Sequence, residues 1–258
     1  MRRALVTGVS RGIGKAVAEM LLADGWSVLG VSRTAPSKFM PRLHWWQWDV
    51  SGEIDPMLAA DVSRHLSDAP LDAVIHCAAI RGPHGPLLEN DPAEWVEAVN
   101  TNLLGTFRVV KATLPALQQS EDGRILLFSG GGAFNASPEY SAYATAKGGV
   151  VSLMETLAEE LRASTVTVNA VAPGPIPTTI HGDNPLPDDG GAGMATAIAC
   201  VRHLLSSHTR GLTGRTVSAV HDDWASISPA TVHAVNASPM GTRTRHTIQQ
   251  VARMRGVA

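Results

Sequence analysis

The chain has 258 residues, of which 44% are hydrophobic, and its formal net charge is −2. That length fits one large α/β domain or two small ones, and the charge argues against nucleic-acid or anionic-membrane partners. No apolar run approaches the ~18–20 residues that cross a bilayer, and no signal peptide precedes the first strand. The two cysteines, Cys77 and Cys200, form no disulfide framework, which suits a reducing compartment. We therefore expect a cytoplasmic protein.

Apolar segments of strand length alternate with longer segments of helical period. The predicted strands are Ala4–Thr7, Ser27–Val31, His44–Trp48, Leu71–His76, Arg124–Phe128, Thr165–Val171 and Arg215–Val220. The predicted helices are Gly14–Asp24, Pro92–Leu117, Ser141–Leu161 and Ala195–Leu205, with Thr244–Arg255 as a candidate terminal helix. Such alternation with continuously apolar strands is typical of a parallel sheet covered on both faces. It predicts an α/β Rossmann fold, a doubly wound parallel sheet of about seven strands.

No linker divides the chain, so we predict one domain spanning residues 1–258. The stretch richest in Gly, Pro and Asp, residues 173–193, is followed by another helix and strand. It is therefore more consistent with a loop than with a domain boundary, and its position after a strand predicts a substrate loop over the site at about residues 179–195. Residues from about 224 to 258 form a C-terminal extension whose pattern is difficult to interpret.

The first strand leads into a glycine-rich turn that opens the first helix. Glycines let the backbone turn sharply and approach a pyrophosphate, and the helix N-terminus offers free N–H groups and a positive dipole end. The strand before the turn and the helix after it supply the context that this interpretation requires. The predicted phosphate-binding residues are Gly8, Ser10, Arg11, Gly12, Ile13 and Gly14.

The end of the second strand indicates which dinucleotide binds. An acidic residue there would accept hydrogen bonds from the adenosine ribose, but the strand ends in Ser32-Arg33. Arginine pairs well with phosphate oxygens, and Arg11 lies nearby in the glycine turn. We therefore predict NADP(H) rather than NAD(H), with Arg33 at the ribose 2′-phosphate.

Tyr143 and Lys147 lie one turn apart on a predicted helix, so their side chains share a face. A free tyrosine, with a pKa of about 10, is a poor base at neutral pH. A neighbouring ammonium stabilises the phenolate and is expected to lower that pKa. Tyrosine can then move a proton to or from a carbonyl oxygen while a cofactor moves hydride.

Taken together, these motifs resemble the short-chain dehydrogenase/reductase family over almost the whole chain. The segment Asn100-Thr101-Asn102-Leu103-Leu104-Gly105 resembles the family's central helix, which makes Asn102 the catalytic asparagine that anchors a relay water. The resemblance implies that Asp49 and Val50 contact adenine. It also implies a nicotinamide clamp formed by Pro173, Gly174, Ile176 and Thr178. A homodimer or homotetramer through the two long central helices is implied in the same way, and no metal site is expected.

Two departures from the family pattern affect the site. The fourth strand ends His76-Cys77-Ala78-Ala79 instead of Asn-Asn-Ala-Gly, which keeps the small Ala78 beside the cofactor and places Ala79 next to it. The family's catalytic serine lies thirteen residues before the tyrosine, where this chain has Gly130. Three alternatives follow. Ser129 turns inward, the donor comes from Asn135 or from the backbone of residues 130–132 such as Gly131, or the protein has little redox activity. We favour the second, since adjacent strand residues face opposite ways.

The leading hypothesis is an NADPH-dependent oxidoreductase that reduces a ketone of a small organic substrate or oxidises the alcohol. Its catalytic residues are Tyr143, Lys147 and Asn102. Candidate contacts to the substrate oxygen are Ser129, Gly130, Gly131 and Asn135. Two alternatives stay open: a cofactor-binding protein with a regulatory or scaffold role, and non-redox biosynthetic use of the same site.

Overall fold

The computed structural model describes residues 1–53, 64, 70–178, 180 and 193–236. Seven strands in these ranges form a sheet of order β3-β2-β1-β4-β5-β6-β7, and every pairing is parallel. The strands are β1 Arg3–Thr7, β2 Ser27–Ser32, β3 Leu43–Gln47, β4 Ala73–His76, β5 Arg124–Phe128, β6 Thr167–Ala172 and β7 Arg215–Ser218. The predicted Rossmann-type sheet is confirmed, with strand ends that differ from prediction by two residues or fewer.

Six α-helices accompany the sheet in the described ranges. They are α1 Gly12–Ala23, α2 Pro92–Val99, α3 Gly105–Leu117, α4 Ser141–Glu160, α5 Met194–Leu204 and α6 Pro229–Asn236. The helix predicted over 92–117 contains a π-helical turn, Asn100–Leu104, between α2 and α3. The helix α6 was not predicted, and the candidate helix at 244–255 lies outside the described residues.

The start of α2 shows how local sequence positions an element near the site. Asp91 precedes the helix in an extended conformation, and its side chain accepts a hydrogen bond from the Ala93 N–H at 2.7 Å. Pro92 takes the first helical position, where its missing N–H has no helical partner to lose. The cap fixes the residue at which the helix begins, and the helix leads directly into the π-helical turn.

The core lies in two layers, one on each face of the sheet, because side chains alternate along each strand. Val6 and Ile75 belong to the layer that α1 and α5 cover. Leu5 and Leu127 belong to the other layer, which α3 and α4 cover. No helix of the described chain is long and apolar enough to span a membrane.

The strand order reverses direction at β1, which lies between β2 and β4. At such a switch point, the connections from two neighbouring strands run to opposite faces of the sheet. A crevice therefore opens between them at the carboxyl ends of the strands. The predicted site residues follow β1, β2, β4, β5 and β6, so the parallel sheet brings them to this one edge.

Candidate active site

The glycine turn after β1 is constrained by its backbone conformation and by close contacts. Gly8 and Gly12 have φ of 75° and 57°, a region that L-residues with a Cβ rarely adopt. A Cβ at Gly14 would lie 2.4 Å from the Gly8 carbonyl oxygen. The α1 N-cap residue, Arg11, makes no side-chain capping bond, so the N–H groups of the first turn stay available to a ligand. The turn can therefore hold a diphosphate.

Arg33 lies exposed after β2, where the sequence predicts the 2′-phosphate contact. Its Nη1 is 3.9 Å from Asp49 Oδ2, and about half of each side chain is exposed. An ion pair of this exposure is weak, so Arg33 can exchange Asp49 for a phosphate. Ser32 differs: its hydroxyl donates to the Thr34 carbonyl at 2.7 Å and accepts from Trp45 Nε1 at 2.9 Å. Its hydrogen bonds connect β2 to β3, and the predicted cofactor contact of Ser32 stays a prediction.

The segment Asp49-Val50 is held against the π-turn. Arg108 Nη1 donates to the Val50 carbonyl at 3.3 Å, and Asn100 Nδ2 donates to the Ser51 carbonyl at 2.9 Å. Val50 itself is buried. Both residues thus lie at the carboxyl edge of the sheet, although the adenine contact that the resemblance implies stays a prediction.

Asn102 is buried within the π-turn, and both polar atoms of its side-chain amide are hydrogen-bonded. Its Oδ1 accepts from the Ile80 N–H and its Nδ2 donates to the Ile80 carbonyl, each at 2.8 Å. The side chain therefore fixes the segment after β4 to the central helices. The relay water that the resemblance implies stays a prediction; the Asn102 carbonyl accepts from Thr106 Oγ1 at 2.7 Å.

Lys147 is buried beneath Tyr143. Its Nζ donates to the Phe128 carbonyl at 2.8 Å and lies 5.5 Å from the centre of the Tyr143 ring. Burial lowers the pKa of Lys147 to about 8, and the nearby Cys77 acts in the opposite direction. Burial also raises the pKa of Tyr143 to about 12. The expected lowering of the tyrosine pKa is therefore wrong for this arrangement, because loss of hydration outweighs a lysine directed at a carbonyl.

Gly130 faces Tyr143 directly. A Cβ built on it would lie 3.6 Å from the Tyr143 hydroxyl oxygen and 3.5 Å from Cε1, both ordinary contact distances. Its φ of −166° and ψ of 168° are extended values that any residue adopts. Nothing in the backbone therefore requires glycine here, and the position has space for a side chain directed at the phenol.

The other candidate contacts to the substrate oxygen lie elsewhere. Ser129 keeps the strand register, with its N–H bonded to the Val171 carbonyl at 2.9 Å, and its buried Oγ has no partner. The inward-serine alternative stays open, because the buried hydroxyl has no partner in the described chain. Gly131 begins a 3₁₀ turn, and Asn135 is exposed with its N–H on the Gly131 carbonyl at 2.9 Å.

The predicted nicotinamide clamp follows β6 and reaches the glycine turn. Gly174 has φ of 82°, and Ile176 is buried. A Cβ at Gly12 would lie 3.6 Å from Thr178 Cγ2, so the clamp and the phosphate cradle are in contact range. Most of the predicted substrate loop, at 179–195, lies outside the described residues.

Two groups of contacts near Tyr143 have no sequence signal. One is the Thr7–His76 pair at the ends of β1 and β4, 3.1 Å from Oγ1 to Nδ1. The other joins the loops after β4 and β5: His84 Nε2 is 3.3 Å from Glu139 Oε2, and its ring meets Tyr140 edge-on. Both depend on contacts between segments remote in sequence, which periodicity and motif spacing do not reveal.

The fold and the order of the site residues agree with a match to a protein-family model. The model described as short chain dehydrogenase matches residues 2–187. The chain belongs to the short-chain dehydrogenase family. Among curated relatives of this short-chain dehydrogenase, the 3-oxoacyl-[acyl-carrier-protein] reductase FabG of Salmonella typhimurium is 30% identical over 234 residues, which cover 83% of this chain and 93% of the relative. The short-chain reductase protein NovJ of Streptomyces niveus is 34% identical over 185 residues, 68% of this chain and 69% of that one.

Solved structures give the same result for this short-chain dehydrogenase. A short chain dehydrogenase from Salmonella enterica serovar Typhi superposes with a TM-score of 0.76 at 26% identity, covering 85% of this chain and 96% of that one. A second, from Shigella flexneri and complexed with NADP, has a TM-score of 0.75 at 25% identity, covering 84% and 96%. The protein is thus an oxidoreductase of this family, with relatives that bind NADP.

Proposed function

We propose that the protein reduces a ketone of a small organic substrate with NADPH, with Tyr143 as the proton donor; the reverse alcohol oxidation uses the same groups. The observation that carries the proposal is the Tyr143 hydroxyl above the buried Lys147, at the edge where the phosphate cradle and the clamp meet. Two relatives support the chemistry by name, a 3-oxoacyl-[acyl-carrier-protein] reductase and a structure complexed with NADP.

The residues at this edge of the sheet would hold the parts of NADP(H) as follows. The glycine turn holds the diphosphate through backbone N–H groups, and Arg33 with Arg11 binds the 2′-phosphate. Lys147 binds the nicotinamide ribose, and Ile176 and Thr178 orient the carboxamide. When bound, NADPH supplies the hydride that the substrate carbon accepts.

The protonation of Tyr143 suits the reductive direction. With its pKa raised to about 12, the phenol keeps its proton through neutral pH and can give it to the developing alkoxide. Lys147, with a pKa of about 8, is charged at neutral pH and stabilises the phenolate left behind. Reduction is therefore expected to slow as pH rises above about 8, where the ammonium is lost.

The substrate oxygen needs a second donor beside Tyr143. We propose that it is a backbone N–H of residues 130–132, because the start of a 3₁₀ turn has no internal acceptor for its N–H groups. Asn135, which is exposed on the same loop, is the side-chain alternative.

The first test is NADPH oxidation, followed by absorbance, against a panel of aliphatic, aromatic and 3-oxo-ester ketones. Tyr143→Phe should lower turnover about 10²- to 10⁴-fold because it removes the proton donor and little else. Tyr140→Phe is the matched control, since it alters the only other tyrosine and leaves the phenol of Tyr143 in place. Tight NADPH binding with no turnover on any ketone would overturn the proposal.

Gly130 favours a second candidate, a cofactor-binding family member with little redox turnover that serves regulation or a non-redox step. Gly130→Ser separates the two because its side chain fits 3.6 Å from the Tyr143 hydroxyl without backbone strain. If the backbone N–H donor is weak, the added hydroxyl should raise turnover by up to about 10²-fold. If Gly130→Ser binds NADPH but gains no turnover, and the wild type also shows no turnover, the second candidate is favoured.

We also propose a homodimer or homotetramer through the central helices. Val96, Leu104 and Phe107 are 62%, 44% and 46% exposed along α2, the π-turn and α3. Apolar side chains that recur along one helical stretch are typical of an interface between copies. Sedimentation of the wild type and of Phe107→Glu tests this, with a shift of the variant toward monomer expected.

A further inference from the structure

A buried histidine at the end of β4 has no role in the site described above. His76 ends β4 and is only 4% exposed, yet its Nε2 has no hydrogen-bond partner. Buried polar groups are nearly always paired, so an orphan of this kind requires a reason. No role assigned above to the catalytic or cofactor residues uses it.

The tautomer of His76 follows from its neighbour. Thr7 Oγ1 accepts from the backbone N–H groups of Cys77 and Ala78, each at 3.0 Å. A hydroxyl has two acceptor lone pairs and one proton, so both lone pairs are used and the proton points at His76 Nδ1, 3.1 Å away. Nδ1 is therefore the acceptor and the ring hydrogen lies on Nε2.

His76 lies on the lysine side of the sheet. It alternates with Val74, which belongs to the core layer under α3 and α4, and α4 carries Lys147. Its strand partner is Leu127, and the next residue, Phe128, provides the carbonyl that holds Lys147 Nζ. Burial lowers the pKa of His76 to about 3, and the charge of Lys147 adds to the effect. The His76 ring is therefore uncharged at neutral pH. Its Nε2–H is a hydrogen-bond donor on the side of the sheet that α3 and α4 cover.

We propose that His76 is a positioning residue for Lys147: its Nε2–H, fixed by Thr7, denies the ammonium an acceptor at the end of β4 and so keeps Nζ on the Phe128 carbonyl beneath Tyr143. An ammonium has three donors and no acceptor, so it turns away from an N–H and toward a carbonyl. Were Nε2 an acceptor, it would bind Nζ and draw the lysine toward β4. With one donor used on Phe128, two donors remain for the Tyr143 phenol and for the ribose of the proposed reductase.

Direct titration of Lys147 tests the inference without turnover. The chain has four lysines, Lys15, Lys38, Lys111 and Lys147, so ¹³Cε-lysine NMR gives four signals, and Lys147→Arg identifies the one of interest. The wild-type signal should titrate near pH 8, well below the ordinary lysine value of about 10.4. Burial is the main cause of the lowered pKa, Cys77 at the end of β4 acts in the opposite direction, and Lys147 in turn lowers the pKa of His76.

His76→Leu keeps the burial but removes the N–H, and should raise the Lys147 midpoint by about one pH unit. Thr7→Val frees the tautomer and should do the same. Two conservative variants are the matched controls: Thr7→Ser keeps the hydroxyl, and His76→Gln accepts from Thr7 while keeping an N–H toward the lysine, so both should titrate like the wild type. An unchanged midpoint in folded His76→Leu and Thr7→Val would overturn the inference.

The proposed reductase function enters only through one added readout. The alkaline fall of NADPH-dependent reduction should move with the Lys147 midpoint in each variant. If the midpoints move as expected and no variant reduces any ketone, the positioning role stands and the proposed reductase function fails. If reduction occurs and the midpoints do not move, the reductase stands and the positioning role fails.

Discussion

The phosphate cradle and the catalytic floor, the group formed by His76, Ser129, Gly130 and Lys147, lie at the same edge of one sheet but are specified differently. The cradle depends on backbone conformation within a few residues, such as the positive φ of Gly8. The floor depends on side chains that meet across β4, β5 and α4, such as Lys147 on the Phe128 carbonyl. Because the cradle tolerates few residue types, its sequence is constrained, whereas the floor can be built from different residues.

The floor contains two buried polar atoms without a hydrogen-bond partner in the described residues. Ser129 Oγ and His76 Nε2 are both buried without a partner, and Lys147 is a buried ammonium with one bond. Groups of this kind cost free energy in a folded protein. The cradle has little strain beyond its glycines, whereas the floor contains buried polar groups that lower stability.

The largest expected effect is on the cradle. Gly14→Ala would place a Cβ 2.4 Å from the Gly8 carbonyl oxygen and 2.7 Å from the Thr7 carbonyl oxygen, and neither backbone atom can rotate away. We expect a loss of about 3 kcal/mol in the free energy of unfolding and at least about 10²-fold weaker NADPH binding. Chemical denaturation and fluorescence titration measure the two effects.

Gly193→Ala is the matched control for the cradle, because a Cβ there meets nothing within 4 Å and its φ is −58°. Its effect on stability should stay within about 0.5 kcal/mol. If Gly14→Ala lowered stability as little as Gly193→Ala, the close backbone contact at Gly14 would not be what holds the cradle in place.

The floor should behave in the opposite way, because its central charge is destabilising. Lys147→Met should abolish reduction yet raise the free energy of unfolding at pH 7 by about 2 kcal/mol. The pKa of Lys147 is about 8 in the folded chain, below the ordinary value of 10.5, so folding disfavours the charged form. The gain is reduced by the hydrogen bond lost at the Phe128 carbonyl.

The pH dependence of the free energy of unfolding distinguishes removal of the buried charge from a general improvement in packing. Between about pH 8 and 10 the unfolded wild type binds more protons at Lys147 than the folded one, so wild-type stability contributed by this group rises with pH. Lys147→Met lacks that rise, and its advantage should shrink across this window. Above pH 10 the raised pKa of Tyr143 lowers stability in both proteins. A constant advantage from pH 7 to 10 would contradict the buried-charge explanation.

The cradle and the floor also differ in how well the sequence predicts them. The sheet, its helices and the cradle are predictable because strand–helix alternation and the Gly8–Gly14 spacing are local signals. The π-turn at Asn100–Leu104 is not, because it differs from an α-helix by one hydrogen-bond step within an unbroken helical pattern. The direction of the Tyr143 pKa was predicted wrongly, since charge is visible in a sequence and burial is not. The Thr7–His76 hydrogen bond joins two strands through residues 69 positions apart, and no sequence motif connects these residues.

The smallest expected effect concerns selectivity between cofactors, at the exposed end of the cradle. Arg33→Ala should weaken NADPH binding about 10-fold, the value of one exposed charged contact to the 2′-phosphate, because the arginine is half exposed and loosely paired with Asp49. NADH lacks that phosphate, so its affinity for the same variant should be unchanged and provides the control. Raising the salt concentration should narrow the wild-type preference toward that of the variant, since exposed charges are screened. Equal weakening for NADPH and NADH would mean that Arg33 shapes the adenosine pocket and does not read the phosphate.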